Sequence, residues 1–259
     1  MESFSAVPGR STLPALASGV VPSSFRILRQ LLSRVEDEAT GTIKLEALHT
    51  EIPAERQEQA KAVADTLDAE LFARFPWVEG SQPVSEDHAE LVLNRTWRPA
   101  LSLTGVEGMP PLASAGNVLR PGTALKLSMR IPPHVDPAAA SRALKTALEQ
   151  DPPYGAKVRF EGEKSSAGWN APPLERWLEQ AMDAASRTFF GKPAMAMGEG
   201  GTIPFMEMLG RKFPKAQFLI TGVLGPNSNA HGPNEFLHIP TGKRLTACVA
   251  SVIAQHAKR

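Results

Sequence analysis

The stretch "NSNAHGPNEFLHI", residues 227–239, carries the first group in this 259-residue chain whose setting suggests chemistry. His231 lies there among Asn, Ser and Gly, in a loop too polar to be core. A neutral imidazole in such a loop suits a metal ligand, and it equally suits a solvated surface histidine. Arg130 ends the alternating run "TALKLSMR"; its planar guanidinium fits a two-pronged carboxylate contact better than a lysine would, though an exposed strand arginine looks the same. Asn117, in "SAGNVL", carries an amide that can donate to an oxyanion and accept from an N–H, or simply serve a turn beside Gly116. In "GEGGTIPF", Gly200, Gly201 and Thr202 precede an expected helix, where free N–H groups attract a carboxylate and glycine allows close approach. A tight loop would read the same way.

The elements that must position these groups follow from periodicity. Residues 19–41 put Phe25, Leu28, Leu31, Leu32 and Val35 at helical spacing, with Pro22 before and Gly41 after. Residues 52–76 repeat that pattern through Ala60, Val63, Leu67, Leu71 and Phe75. From residue 88 to 108 the pattern reads as alternating and β-rich, with Pro99 as a break or edge position. In "TALKLSMR" Leu125, Leu127 and Met129 face one way and Lys126, Ser128 and Arg130 the other. A helix capped by Asp136 with Pro137 at its first position follows, then the strand "AKVRFEGE". Helix, inserted helix, strand, strand, helix, strand predicts a ferredoxin-like α+β layer lacking its first strand. Beyond the Ser/Gly/Pro loop "SSAGWNAPP", two helices, the strand "AQFLITGVLG" and a last helix predict part of an α/β layer with too few strands to be complete.

Composition narrows the class. Twenty-eight Lys and Arg against 27 Asp and Glu leave a net charge of +1 and no long basic run, which argues against a nucleic-acid footprint. The single cysteine, Cys248, rules out an internal disulfide framework. No apolar run reaches the roughly 18 residues that span a bilayer, and the start is a poor signal peptide. A cytoplasmic globular protein is expected.

Five stretches together, "GVVPSSFRILRQLLSRVEDEATG", "TWRPALSLTGVEG", "SAGNVLRPGTALKLSMRIPP", "GEGGTIPF" and "NSNAHGPNEFLHI", resemble the dinuclear-zinc metallopeptidases of the carnosinase, aminoacylase and glutamate-carboxypeptidase type, nearest their cytosolic non-specific dipeptidase branch. The resemblance runs in order from about residue 17 to the C-terminus. It implies three parts: an unassigned segment over 1–16, a ferredoxin-like lid that mediates dimerisation over 17–165, and the C-terminal portion of a split α/β catalytic domain over 166–259. It implies a metal-ligand role for His231 and substrate contacts for Asn117, Arg130, Gly201 and Thr202, with Arg130 gripping the terminal carboxylate of a short peptide. His49, His88, His134, His238 and His256 fall outside the motifs and are expected to be solvated or packed.

The same resemblance implies two zinc or manganese ions, held in the family by a His-x-Asp pair, a bridging Asp and a Glu-Glu pair that also supplies the general base. Those motifs precede the region matched here, and Leu13 stands where the family's lid places a transition-state histidine. No general base is therefore assigned within this chain. Two expectations follow. One is a metal-dependent dipeptidase-type hydrolase, truncated, homodimeric through its lid and inactive alone. The other is a non-catalytic dimerisation module derived from the lid. Neither involves a membrane or nucleic acid.

Overall fold

The computed structural model describes residues 2–7, 13–73, 75–162, 165–200 and 204–259. In chain order the elements are β1 (Glu2–Val7), β2 (Leu13–Pro14), α1 (Ser24–Val35), α2 (Ala54–Leu67), α3 (Glu70–Ala73) and α4 (His88–Thr96). There follow β3 (Ala100–Glu107), β4 (Val118–Leu119), β5 (Thr123–Arg130), α5 (Pro137–Glu149), β6 (Lys157–Gly162), α6 (Arg176–Phe190), α7 (Pro204–Lys212) and α8 (Ile239–His256). They fall into two compact units, each discontinuous in sequence. The first comprises residues 1–54, 93–169 and 199–207, and the second residues 55–92, 170–198 and 208–259.

The first unit is built on a four-stranded sheet of order β3-β5-β1-β6. Every neighbouring pair is antiparallel. With α1 and α5 as its two helices this is the ferredoxin-like βαββαβ arrangement. The expectation of a missing first strand is corrected here: residues 2–7 supply it, pairing with β5 on one side (Ser3 opposite Lys126) and with β6 on the other (Ser3 opposite Glu161). Short polar residues in "ESFSAV" hid the strand from a pattern search, because a central strand is specified by its two neighbours as much as by its own alternation. With residues 2–7 in place, β5 and β6 each have a strand partner on the side facing β1.

Helix α1 presents Ile27, Leu28, Leu31 and Val35 to the sheet, all completely buried. Phe25, counted on that face by spacing, is instead exposed. α5 contributes Ala140, Leu144 and Leu148, and β5 contributes Leu125 and Leu127. Each fully buried Leu or Ile stabilises the fold by about 1.5–3 kcal/mol relative to exposure. A buried pair of hydroxyls, Ser24 Oγ and Thr123 Oγ1 at 2.7 Å, ties the start of α1 to the start of β5. Asp136 caps α5 as its sequence predicts, accepting the Ala138 N–H at 2.9 Å. Arg34 of α1 donates to the carbonyls of Gln150 and Asp151 just beyond α5, at 2.6 and 2.7 Å, satisfying groups that the helix end leaves without partners.

The segment from residue 88, read as β-rich, begins instead as helix α4. Asp87 caps it, accepting the N–H groups of Ala89 at 2.8 Å and Glu90 at 3.2 Å. Leu93 and Trp97, one turn apart, are both buried. The strand β3 starts only after Pro99.

In the second unit α6 packs along α8 through Leu178, Ala181, Ala185 and Val252, with Leu219 and Cys248 against them. Alanines at 181 and 185 allow the helices to approach closely. Gly191 ends α6 in the left-handed conformation, φ 74°. His238 caps α8, its ring accepting the Thr241 N–H at 3.3 Å. The helix expected through residue 75 breaks at Asp68, φ 43°, into α2 and α3. Residues 216–225, expected as a strand, belong to no strand among the described residues; Ile220, Val223 and Leu224 are exposed. A β-rich sequence forms a ladder only where a neighbouring strand accepts its hydrogen bonds. Among the described residues, no helix is long and apolar enough to cross a membrane.

Candidate functional site

Arg130 closes β5 opposite Ala100, the first residue of β3. The chain is held firmly just beyond it. Pro132 is fully buried, and the His134 ring stands edge-on to the buried Trp97 with centroids 5.6 Å apart. Gly168 lies so close to Pro133 that an added Cβ would meet its nitrogen at 2.9 Å. The Arg130 side chain itself is exposed and forms no hydrogen bond or ion pair among the described residues. The backbone beside it is packed, and its donors have no partner among the described residues.

The Gly-rich turn comes to that cation. A Cβ at Gly200 would lie 3.0 Å from Arg130 Nη1 and 2.3 Å from the carbonyl oxygen of Arg95 in α4. Only a glycine fits there, so the backbone passes against both arginines. Glu199 Oε1 accepts from Arg95 Nη2 at 3.0 Å and from the Gly200 N–H at 3.1 Å. The sequence displays Arg95 and Glu199 as ordinary charges, and their pairing across 104 positions is visible only in the fold. Gly201 and Thr202 lie outside the described residues. Asn117 is exposed between a short 3-10 turn and β4, and no hydrogen bond or ion pair joins it to Arg130 or Gly200 among the described residues.

His231 belongs to the second unit, in a loop with an unusual backbone. Asn227, Asn229, His231 and Asn234 have φ of 59°, 51°, 61° and 59°. Asparagine tolerates this region because its side chain bonds locally; for histidine it costs about 1–2 kcal/mol. Internal bonds hold the loop in shape: Asn229 Nδ2 donates to the Pro233 carbonyl at 2.7 Å, and the Gly232 N–H to the Asn229 carbonyl at 2.9 Å. Ser228, buried, accepts the Gly225 N–H at 3.0 Å. The Glu235 carboxylate accepts the His231 N–H at 2.9 Å, while the imidazole is exposed.

The other five histidines divide into local roles. His49 Nε2 lies 2.7 Å from the Ile43 carbonyl, and His88 pairs with Asp68 at 3.0 Å. His134 stands edge-on to Trp97, His256 lies tilted against Trp177, and His238 is the cap described above. They meet the expectation of solvated or packed residues.

A two-metal site does not fit what is described. Among the described residues, no group of three or more His, Cys, Asp and Glu side chains converges as a metal site. His231 offers a single ring, and a tightly held zinc needs three or four protein ligands. The described donors therefore fall short of even one ion.

The chain is similar to several known proteins. Cysteinylglycine-S-conjugate dipeptidase of Corynebacterium striatum is 26% identical over 226 residues, which cover 84% of this chain and 46% of that protein. The di-peptidase Dug1p from Saccharomyces cerevisiae matches the whole chain with a TM-score of 0.75 at 19% identity, over 54% of its own length. Human carnosine dipeptidase 1 matches at 0.70 and 18%, covering all of this chain and 55% of its own. The metallo-carboxypeptidase Sso-CP2 from Sulfolobus solfataricus matches at 0.72 and 18%, covering 97% of this chain and 57% of its own. The structural likenesses are of fold, and the chain spans about half the length of each of these relatives. The model of peptidase family M20/M25/M40 matches residues 12–255, and the chain belongs to that family.

Proposed function

We propose that this chain is the substrate-recognising portion of a dipeptidase-type metallohydrolase, and that it binds short peptides through their free C-terminal carboxylate. The observation that carries this reading is the Arg130 guanidinium, exposed and without a carboxylate partner, lying against the Gly200 backbone. A guanidinium meets a carboxylate with two parallel charge-assisted hydrogen bonds. In this reading the first unit's sheet is part of a lid that pairs with a second copy, residues 17–165 and 166–259 correspond to lid and catalytic portions, and Asn117, Gly201 and Thr202 contact substrate. His231 supplies one ligand to zinc or manganese, and the remaining donors and the general base come from residues outside those described.

Titration calorimetry of the chain with a dipeptide and with its C-terminal amide tests the reading. The free acid binds and the amide binds at least tenfold more weakly, and Arg130→Ala removes the difference, since a charge-assisted contact is worth about 1.5–3 kcal/mol. Equal binding of acid and amide rejects the carboxylate subsite.

A second reading is a non-catalytic dimerisation module derived from the lid. A stable homodimer that binds neither peptide form supports that module instead.

A further inference from the structure

We infer that Glu199 is the positioning residue of the carboxylate subsite: it fixes the Gly200 backbone between Arg95 and Arg130 and so sets the place at which Arg130 meets its ligand. The inference rests on the carboxylate reading of Arg130 given above. One oxygen of Glu199 accepts two donors from different parts of the chain, the Arg95 guanidinium at 3.0 Å and the Gly200 amide at 3.1 Å. The Arg95 carbonyl oxygen also lies against the turn, where a Cβ at Gly200 would meet it at 2.3 Å. Residue 199 is thereby tied to α4, while residue 200 is pressed against Arg130 at the end of β5.

The two arginines beside Gly200 are thus given different work. Arg95 is paired with Glu199, so its charge is compensated and its hydrogen bond is structural. Arg130 has no such partner among the described residues and keeps its charge for a ligand. A carboxylate at 199 that compensates one arginine also prevents that arginine from competing for the incoming anion.

The test uses the intact chain and its Glu199→Ala, Glu199→Gln and Arg130→Ala variants. NMR follows the Gly200 amide and the Arg130 Nε–H signal, and the same samples are titrated with a dipeptide and its C-terminal amide. Glu199→Ala is expected to move both signals before any ligand is added and to weaken binding of the free acid about tenfold. Glu199→Gln keeps an oxygen for both donors, so it restores the signals and most of the affinity. Unmoved Gly200 and Arg130 signals in Glu199→Ala overturn the inference, whatever the peptide does. Moved signals with unchanged affinity also overturn it, while leaving the carboxylate subsite intact. A wild-type chain that does not distinguish acid from amide rejects the subsite itself, and the positioning role with it.

Discussion

Arg130 and Gly200, 70 residues apart in sequence, meet so closely that a methyl group on Gly200 would lie 3.0 Å from the Arg130 guanidinium. The contact joins the end of a sheet strand to a Gly-rich turn, and it gives the cation a wall of bare backbone.

Gly200→Ala should disturb this arrangement more than its size suggests. The new methyl would sit 2.3 Å from the Arg95 carbonyl oxygen, a backbone atom that cannot swing aside. Shifting the turn should cost about 1–3 kcal/mol of stability and most of the peptide affinity. Urea unfolding and calorimetry on one preparation check both effects, and a fully stable variant with unchanged affinity would contradict the packing described.

The central position of β1 predicts a strong response to proline. Ser3 faces Lys126 on one side and Glu161 on the other, so Ser3→Pro removes a ladder donor from a strand with neighbours on both edges. A loss on the order of 3 kcal/mol is expected. Light scattering should also show association, because freed edges of β5 and β6 offer templates for pairing. A variant as stable and monodisperse as the parent would remove β1 from the sheet.

How much of this was legible in the sequence differs by element. Leu125 and Leu127 alternate cleanly, and Asp136-Pro137 marks a helix start through its own chemistry, so β5 and α5 could be read directly. β1 could not, because "ESFSAV" carries no strong alternation and owes its place to pairing on both sides. The start of α4 was hidden because Leu91, Leu93 and Val92 favour either state, and the Asp87 cap decides the matter. Arg130 and the Gly-rich turn were visible as separate candidates. Glu199 and Arg95 were not, since an ion pair across 104 residues leaves no periodic trace.

The buried Ser24–Thr123 pair predicts a non-additive mutant cycle. Ser24→Ala leaves the Thr123 hydroxyl buried without that partner and should cost about 1–3 kcal/mol. Thr123→Val added to it removes the orphaned hydroxyl and should cost little more. Denaturant midpoints of the two single variants and the double variant measure the coupling. Strict additivity would mean that the 2.7 Å contact contributes nothing.

Acid sensitivity should be traceable to Glu149. Its carboxylate accepts the Phe160 amide of the edge strand β6 at 2.7 Å, and this bond, aided by Lys145, holds its carboxyl below the usual range against the opposing effect of burial. A depressed folded pKa gives stability that is present above the unfolded value of about 4.3 and lost as pH falls through the folded one. Glu149→Gln should therefore flatten the pH dependence of stability below about pH 4.5 while changing it little between about pH 6 and 8. An unchanged acid limb would assign that sensitivity to other carboxylates.

The most direct test of the whole account is a dipeptidase assay of the purified chain in zinc or manganese, with a chelator control and metal analysis after dialysis. If Arg130 receives the peptide carboxylate as proposed, and His231 is the one metal ligand among the described residues, the chain should retain well under about one zinc per molecule and hydrolyse no dipeptide. Two retained equivalents of zinc, or cleavage that the chelator abolishes, would contradict it.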